Sequence, residues 1–190
     1  MVTNPVDIMA FCAQQLSGLP MQQVFGTGTL LDTQRLRGMI AKRVGVSEQS
    51  IQAFVLGAHG QVQFASWSCA SIAGVPVAQY PTMSPDVLAA MVDQTTKRVY
   101  EIIECKEATY YGIAACVANI CECIIFNQRR VLPLSSYNKE FGVSLSLPVI
   151  LSECGIEKLI PIVLDNSEQE QLKKAVEHLK AITQRVLSAR

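Results

Sequence analysis

Three apolar runs with strand character stand close together late in the chain, RVLPLSS (130–136), SLSLPVIL (144–151) and EKLIPIVL (157–164), with only turns between them. Strands joined by short turns pair as antiparallel neighbours, whereas a parallel pair needs a long crossover. The helical patterns lie elsewhere. One is capped by Asn4, has Pro5 as its first residue and runs to about Leu16 before Gly18 and Pro20. A second spans about Leu30 to Val44, with Leu36, Met39, Ile40 and Val44 on one side and Gly45 closing it. Ser84–Pro85 opens a third to about Cys105, with Leu88, Met91, Val92, Val99 and Ile102 in register, and a fourth covers about Thr109 to Gln128. Ser167 and Glu170 have the spacing of a capping box for the last, in which Leu172, Val176, Leu179, Ile182 and Val186 step by three or four. Strands grouped among long helices, without strict alternation, imply an α+β fold.

The middle of the chain carries a second group of short extended segments. VFGTGT (24–29) is one, and IQAFVL (51–56) reads as a strand ended by Gly57. QVQFAS (61–66) reads as the returning strand, so that His59, bracketed by Gly57 and Gly60, sits in a hairpin-like turn. A loop, AGVPVAQYPTMSP, follows. Two glycines in GTGTLL (26–31) precede a helix, but the third glycine and the βαβ unit of a dinucleotide fingerprint are absent.

Composition narrows the function classes. With 49% hydrophobic and 17% charged residues, the 190-residue chain has enough apolar material for one sizeable core. Its 16 basic and 16 acidic residues are spread evenly, so no basic stripe for nucleic acid exists. Mean hydropathy is +0.25, yet every apolar run is interrupted before it reaches the length of a bilayer span. MVTNPVDIMAF lacks the charged and apolar regions of a signal peptide. Seven cysteines, an odd number without a CxxC, read as free thiols of a cytoplasmic protein rather than a disulfide frame or a metal site.

Four polar residues stand out as candidates for chemistry. His59 is one of two histidines, Asp32 and Arg35 share a face at a helix start, and Asn4 begins a helix. Each has an ordinary alternative. A histidine in a turn can be structural, Asp32 suits the positive end of the helix dipole, and an i,i+3 Asp/Arg pair is a common surface feature. His178, beside Glu177 in an amphipathic helix, reads as a surface residue.

VTNPVD (2–7), VFGTGTLLDTQRLR (24–37), VLGAHG (55–60), SWSCASIAGVP (66–76), EIIECKEATYYGIA (101–114) and VSLSLPVILSECGIEKLI (143–160) together resemble the lactate/malate dehydrogenase family. The likeness follows the family's order along essentially the whole chain and is nearest to the L-lactate dehydrogenases of bacteria. It implies the family's C-terminal, substrate-binding fold, long helices on twisted and mainly antiparallel strands, with NAD as cofactor and a 2-hydroxy or 2-oxo acid as substrate. It also implies a homo-oligomer. His59 then corresponds to the proton donor and acceptor, and Asp32 to the carboxylate that orients its ring. Arg35 corresponds to the arginine that grips the substrate carboxylate, Asn4 to the amide on the C2 oxygen at the cofactor's edge, and Thr109 to a small polar residue of the pocket. The Thr109 side chain is equally placed to cap the helix it precedes.

The same resemblance marks departures. Asn4 would follow the dinucleotide-binding sheet, so Val2 and Thr3 read as that sheet's last residues (1–3), with the catalytic domain at 4–190. About 100–150 residues of cofactor domain would precede them, and with it the loop that separates lactate from malate enzymes. Without that domain nothing accepts a hydride, and the face around Asn4, Val24 and Phe25 would be exposed. A non-catalytic remnant acting by subunit association and a malate dehydrogenase half are the rival expectations. The family's GEHGD is GAHGQ here, with Ala58 and Gln61 replacing two carboxylates beside His59. Arg37 matches an arginine that binds a regulatory sugar phosphate in bacterial relatives, but Gln52 stands where its partner histidine would be.

Overall fold

A computed structural model describes residues 1–60, 62–107 and 109–188. Among these residues five α-helices, α1 (Val6–Leu16), α2 (Leu30–Val44), α3 (Pro85–Lys106), α4 (Tyr111–Ile125) and α5 (Asn166–Ser188), accompany two sheets. The larger sheet contains β1 (Phe25–Gly26), β3 (Val55–Ala58), β4 (Val62–Ala65), β7 (Arg130–Asn138), β8 (Val143–Ser152) and β9 (Gly155–Leu159). Its order is β1-β7-β8-β3-β4, with β9 also paired to β8. The smaller contains β2 (Ile51–Gln52), β5 (Ser71–Ile72) and β6 (Val75–Pro76), in the order β2-β5-β6. Every pairing is antiparallel. The α+β expectation holds.

The β7–β8 hairpin is the spine. Its turn is held by Asn138 Oδ1, which accepts from Glu140 N at 2.9 Å and Phe141 N at 3.1 Å. Strand β8 alternates apolar and small residues, VSLSLPVILS, and is buried along nearly its whole length. Val143, Leu145 and Leu147 pack with Ile8 of α1 and Ala175, Val176 and Leu179 of α5. Val149 and Leu151 pack instead with Cys116, Ile120 and Cys123 of α4. A third cluster joins Leu36 and Ile40 of α2 to the small sheet and to Leu88 and Met91 of α3.

Several sequence expectations shift, each for a local reason. Helix α1 begins at Val6, with Pro5 at the N-cap in extended conformation and no side-chain cap, so Asn4 lies one residue outside. Pro5 O accepts the first helical bond, from Met9 N at 3.0 Å, and the Asn4–Pro5 peptide is cis. Val2 and Thr3 form no strand; it is Met1 that pairs with the β1 segment, through Phe25 O and Thr27 N.

The 51–56 run is two strands in two sheets. At the break, Ala53 O accepts from Arg37 Nε at 3.0 Å, and Phe54 O accepts from Ser66 N at 2.9 Å and Ser66 Oγ at 3.2 Å. With those carbonyls taken by nonlocal partners, the chain crosses from one sheet to the other. Strand β9 runs from Gly155, whose positive φ closes the turn after β8, only to Leu159. Ile160 N makes one more bond, to Pro148 O, and Pro161 then has no amide to continue the ladder.

The box that opens α5 is not Ser167/Glu170. Glu168 N donates to Asp165 Oδ1 at 2.8 Å and Asp165 N donates to Glu168 Oε2 at 3.1 Å, the reciprocal pattern two residues earlier. Glu168 is buried and also accepts from Ser68 N at 2.9 Å, tying the helix start to the segment after β4, while Glu170 pairs with Lys173 on the surface. His178 is exposed on α5 as expected.

Candidate functional site

The candidate residues come from three elements that the sheet brings together. His59 follows β3, whose ladder with β4 ends at the Ala58↔Val62 pair. Gly57 has φ +92 and Gly60 φ +107, so the turn uses backbone conformations that other residues rarely adopt. A Cβ at Gly57 would also lie 2.9 Å from Val62 O. Gln63 closes the turn by accepting from Gly60 N at 3.1 Å.

Asp32 lies in the first turn of α2, where the positive end of the helix favours a carboxylate. Threonines fix that helix on β3. Thr29 Oγ1 donates to Val55 O at 2.5 Å, and Thr33 Oγ1 accepts from Val55 N at 2.9 Å. Thr29 N in turn donates to Ser146 Oγ of β8 at 3.1 Å. The strand carrying the histidine and the helix carrying the acid are thereby bonded to each other four residues upstream of His59.

The outcome is an aspartate–histidine couple. His59 Nδ1 lies 2.8 Å from Asp32 Oδ2, and Asp32 is 1% exposed. Its other oxygen, Oδ1, is 3.7 Å from the Arg35 guanidinium. With Nδ1–H donated to the carboxylate, Nε2 is the nitrogen left for an outside partner. Burial by itself would lower the His59 pKa, and Arg35 works in the same direction. The hydrogen bond and charge of Asp32, helped by the charge of Asp7, outweigh both and hold the imidazole above its ordinary value. Arg35 is only partly buried, and its planar fork has the shape to take a carboxylate.

Asp7 is the residue that sequence reasoning missed, although it ends the VTNPVD motif. It is 4% exposed, in the first turn of α1, and its Oδ2 accepts from His59 N at 2.8 Å. Burial pushes its carboxyl up, opposed by the Ser135 hydroxyl and by the His59 amide and ring. Asp7 Oδ1 and Ser135 Oγ are both buried, and neither makes a hydrogen bond of good geometry, so the Ser135 hydroxyl is a near neighbour of the carboxylate and not a well-aligned donor.

The remaining candidates are more loosely placed. Asn4 is exposed just before α1. Thr109 is half-buried and does not cap α4, because Tyr110 occupies the N-cap without a side-chain bond. Ala58 is buried in β3, whereas Gln61 lies outside the described residues. Arg37 and Gln52 share a cleft of about 700 Å³ with Arg130 and Glu48. The Arg37 guanidinium is held by Ala53 O and stacks 5.2 Å from the centre of the Phe54 ring. Behind the couple, Cys116 donates to Gln34 Oε1 at 3.2 Å, and burial pushes its thiol up to about 11, so it is a packing residue and not a nucleophile.

Gly28 of the GTGT run serves packing, since a Cβ there would collide with Ser146 Oγ and Ser135 N. The described residues offer no group of three or more His, Cys, Asp or Glu side chains that could hold a metal, and no helix is long and apolar enough to cross a membrane.

An antiparallel, helix-covered α+β domain with a buried Asp–His couple beside an arginine is the class defined so far. Residues 29–189 match the model of the lactate/malate dehydrogenase alpha/beta C-terminal domain. The chain belongs to the lactate/malate dehydrogenase family. It is 41% identical over 181 residues to L-lactate dehydrogenase A of Rhizopus oryzae, covering 95% of this chain and 57% of that one. It is also 41% identical over 183 residues to the L-lactate dehydrogenase of Chloroherpeton thalassium, covering 94% and 60%. Among solved structures, the minor L-lactate dehydrogenase of Enterococcus mundtii superposes with a TM-score of 0.93 at 35% identity, over 97% of this chain and 62% of that one. A lactate dehydrogenase from a deep-sea metagenome library superposes with a TM-score of 0.91 at 33% identity, over 95% and 60%. The chain thus spans about 60% of the length of these relatives.

Proposed function

We propose that this chain forms the substrate-binding and proton-transferring part of an NAD-dependent L-lactate dehydrogenase. The observation that carries the reading is the Asp32 carboxylate bonded to His59 Nδ1 at 2.8 Å with Arg35 on its other side. Bound NAD, with Asn4 at its edge, would supply hydride exchange at C2 of the substrate. The chain's own residues handle the acid and the proton. Arg35 takes the carboxylate in a two-point grip, which fixes C2 relative to the histidine in a way a lysine would not. His59 gives a proton from Nε2 to the C2 oxygen of pyruvate, or takes it from the C2 hydroxyl of lactate. Asp32 keeps the imidazolium stable enough to be that donor near neutral pH. Asn4 bonds the C2 oxygen and Thr109 lines the pocket wall.

The test is pyruvate-dependent NADH oxidation by the chain joined to the dinucleotide-binding domain of a relative. His59→Ala is expected to cost on the order of 10³-fold or more in kcat, the combined effect of losing the proton donor and its charge. Turnover that is indifferent to His59→Ala would end the proposal.

A further inference from the structure

We propose that Asp7 is a positioning residue for the proton-transfer histidine, its buried carboxylate anchoring the His59 main chain so that the ring meets Asp32 with Nε2 free. The inference deepens the function proposed above and rests on His59 being the proton-transfer group.

The geometry gives Asp7 a task that no other group among the described residues performs. The β3–β4 ladder stops at Ala58↔Val62, so the His59 amide has no strand partner. It lies between two glycines of positive φ, in a turn with many alternative conformations. Its acceptor comes from across the molecule, Asp7 Oδ2 at 2.8 Å. A bond from an amide to a carboxylate is shorter and stronger than one to a carbonyl. Helix α1 is itself fixed close to the sheet, because a Cβ at Gly26 would lie 2.8 Å from Val6 Cγ2 and 3.4 Å from Ala10 Cβ. The histidine is therefore held at two points by two acids from two helices, main chain by Asp7 and ring by Asp32.

Asp7 also faces the ring as a charge. The charged groups acting on His59 are Asp32 and Arg35 from α2 and Asp7 from α1, and both acids favour the imidazolium. For the fold alone this placement is unfavourable. A carboxyl whose folded pKa is raised loses stability as pH rises from the ordinary carboxylate value through the folded one, so at neutral pH a buried Asp7 charge is a burden. An asparagine could keep the bond to His59 N through its carbonyl and turn its amide toward the unpartnered Ser135 Oγ.

The experiment is NMR on the full chain and its Asp7→Asn, Asp7→Ala and Asp32→Asn variants, reading His59 amide exchange and the titration midpoint of the His59 ring, with thermal midpoints at pH 7. Asp7→Ala should speed exchange of the His59 amide about tenfold or more, the loss of one charge-assisted bond. Asp7→Asn should keep exchange slow, lower the ring midpoint and leave Tm unchanged or higher. Asp32→Asn should lower the ring midpoint without touching amide exchange. An unmoved ring midpoint in Asp7→Asn overturns the proposal even if Asp7→Ala does not fold. Unmoved amide exchange in a folded Asp7→Ala overturns it as well. None of these readings uses substrate, so failure here is distinguishable from absence of pyruvate turnover in the joined enzyme.

Discussion

At the scale of single residues, the site is one carboxylate shared between an imidazole and a guanidinium. Arg35→Lys keeps the charge but loses the fork. In the joined enzyme it should lower kcat/KM for pyruvate by about 30- to 100-fold, roughly 2–3 kcal/mol, mostly through KM. Equal kcat/KM in the two forms would remove Arg35 from the substrate site. The raised His59 pKa has a thermodynamic consequence as well. The folded state binds this proton more tightly than the unfolded one, so the stabilisation is fully present below the unfolded value of 6.5 and is lost as pH rises through the folded value. The Tm difference between the chain and His59→Gln should therefore shrink as pH rises from about 6 to 9; a constant difference would deny the shift. His59, Asp32 and Arg35 were legible through motif context, since 27 residues separate acid from histidine and no local pattern links them. Asp7 was not legible. Its partner is a backbone amide 52 residues away, and a main-chain amide leaves no mark on a sequence.

At the scale of elements, the parts that position the site were read correctly where the signal is local. Helix α2, with Asp32 in its first turn and Gly45 at its end, has the bounds its periodicity predicts. Errors arose where nonlocal bonds decide. The 51–56 run has uniform β character, but Arg37 and Ser66 take the carbonyls at its middle and divide it. At α5 two candidate boxes lie two residues apart, and the winner is the one whose acid, Glu168, also bonds Ser68. Glu168→Ala should thus cost about 2–3 kcal/mol, having two backbone amides to lose, and Glu170→Ala far less. Equal effects in denaturant melts would contradict the assignment. Thr33→Val keeps the shape but leaves Val55 N without its acceptor; a loss of about 1–2 kcal/mol is expected.

At the scale of the whole molecule, the expectation of an exposed apolar face around Asn4, Val24 and Phe25 holds for Asn4 but not for the other two, because Val24 is buried and Phe25 packs with the α4 cluster. Exposed apolar residues stand at both ends of α4, with Tyr110 64%, Ile125 72% and Phe126 70% exposed, and also around α1, at Met1, Val2, Leu16 and Leu19. Such surface favours association. Sedimentation should show self-association that rises with concentration and weakens in Phe126→Glu; a concentration-independent monomer that ignores hydrophobic dyes would count against it. The fold and chain path follow from the family, while the proposed handling of a 2-oxo acid depends on one charge relation. The most direct test is the pH titration of the His59 ring, resolved by NMR from that of the exposed His178. A midpoint above the free-histidine value that drops in Asp32→Asn is the predicted result. A midpoint at or below the free value, unmoved by Asp32→Asn, would mean that acid and imidazole are not coupled and that the site cannot hold a proton for the substrate.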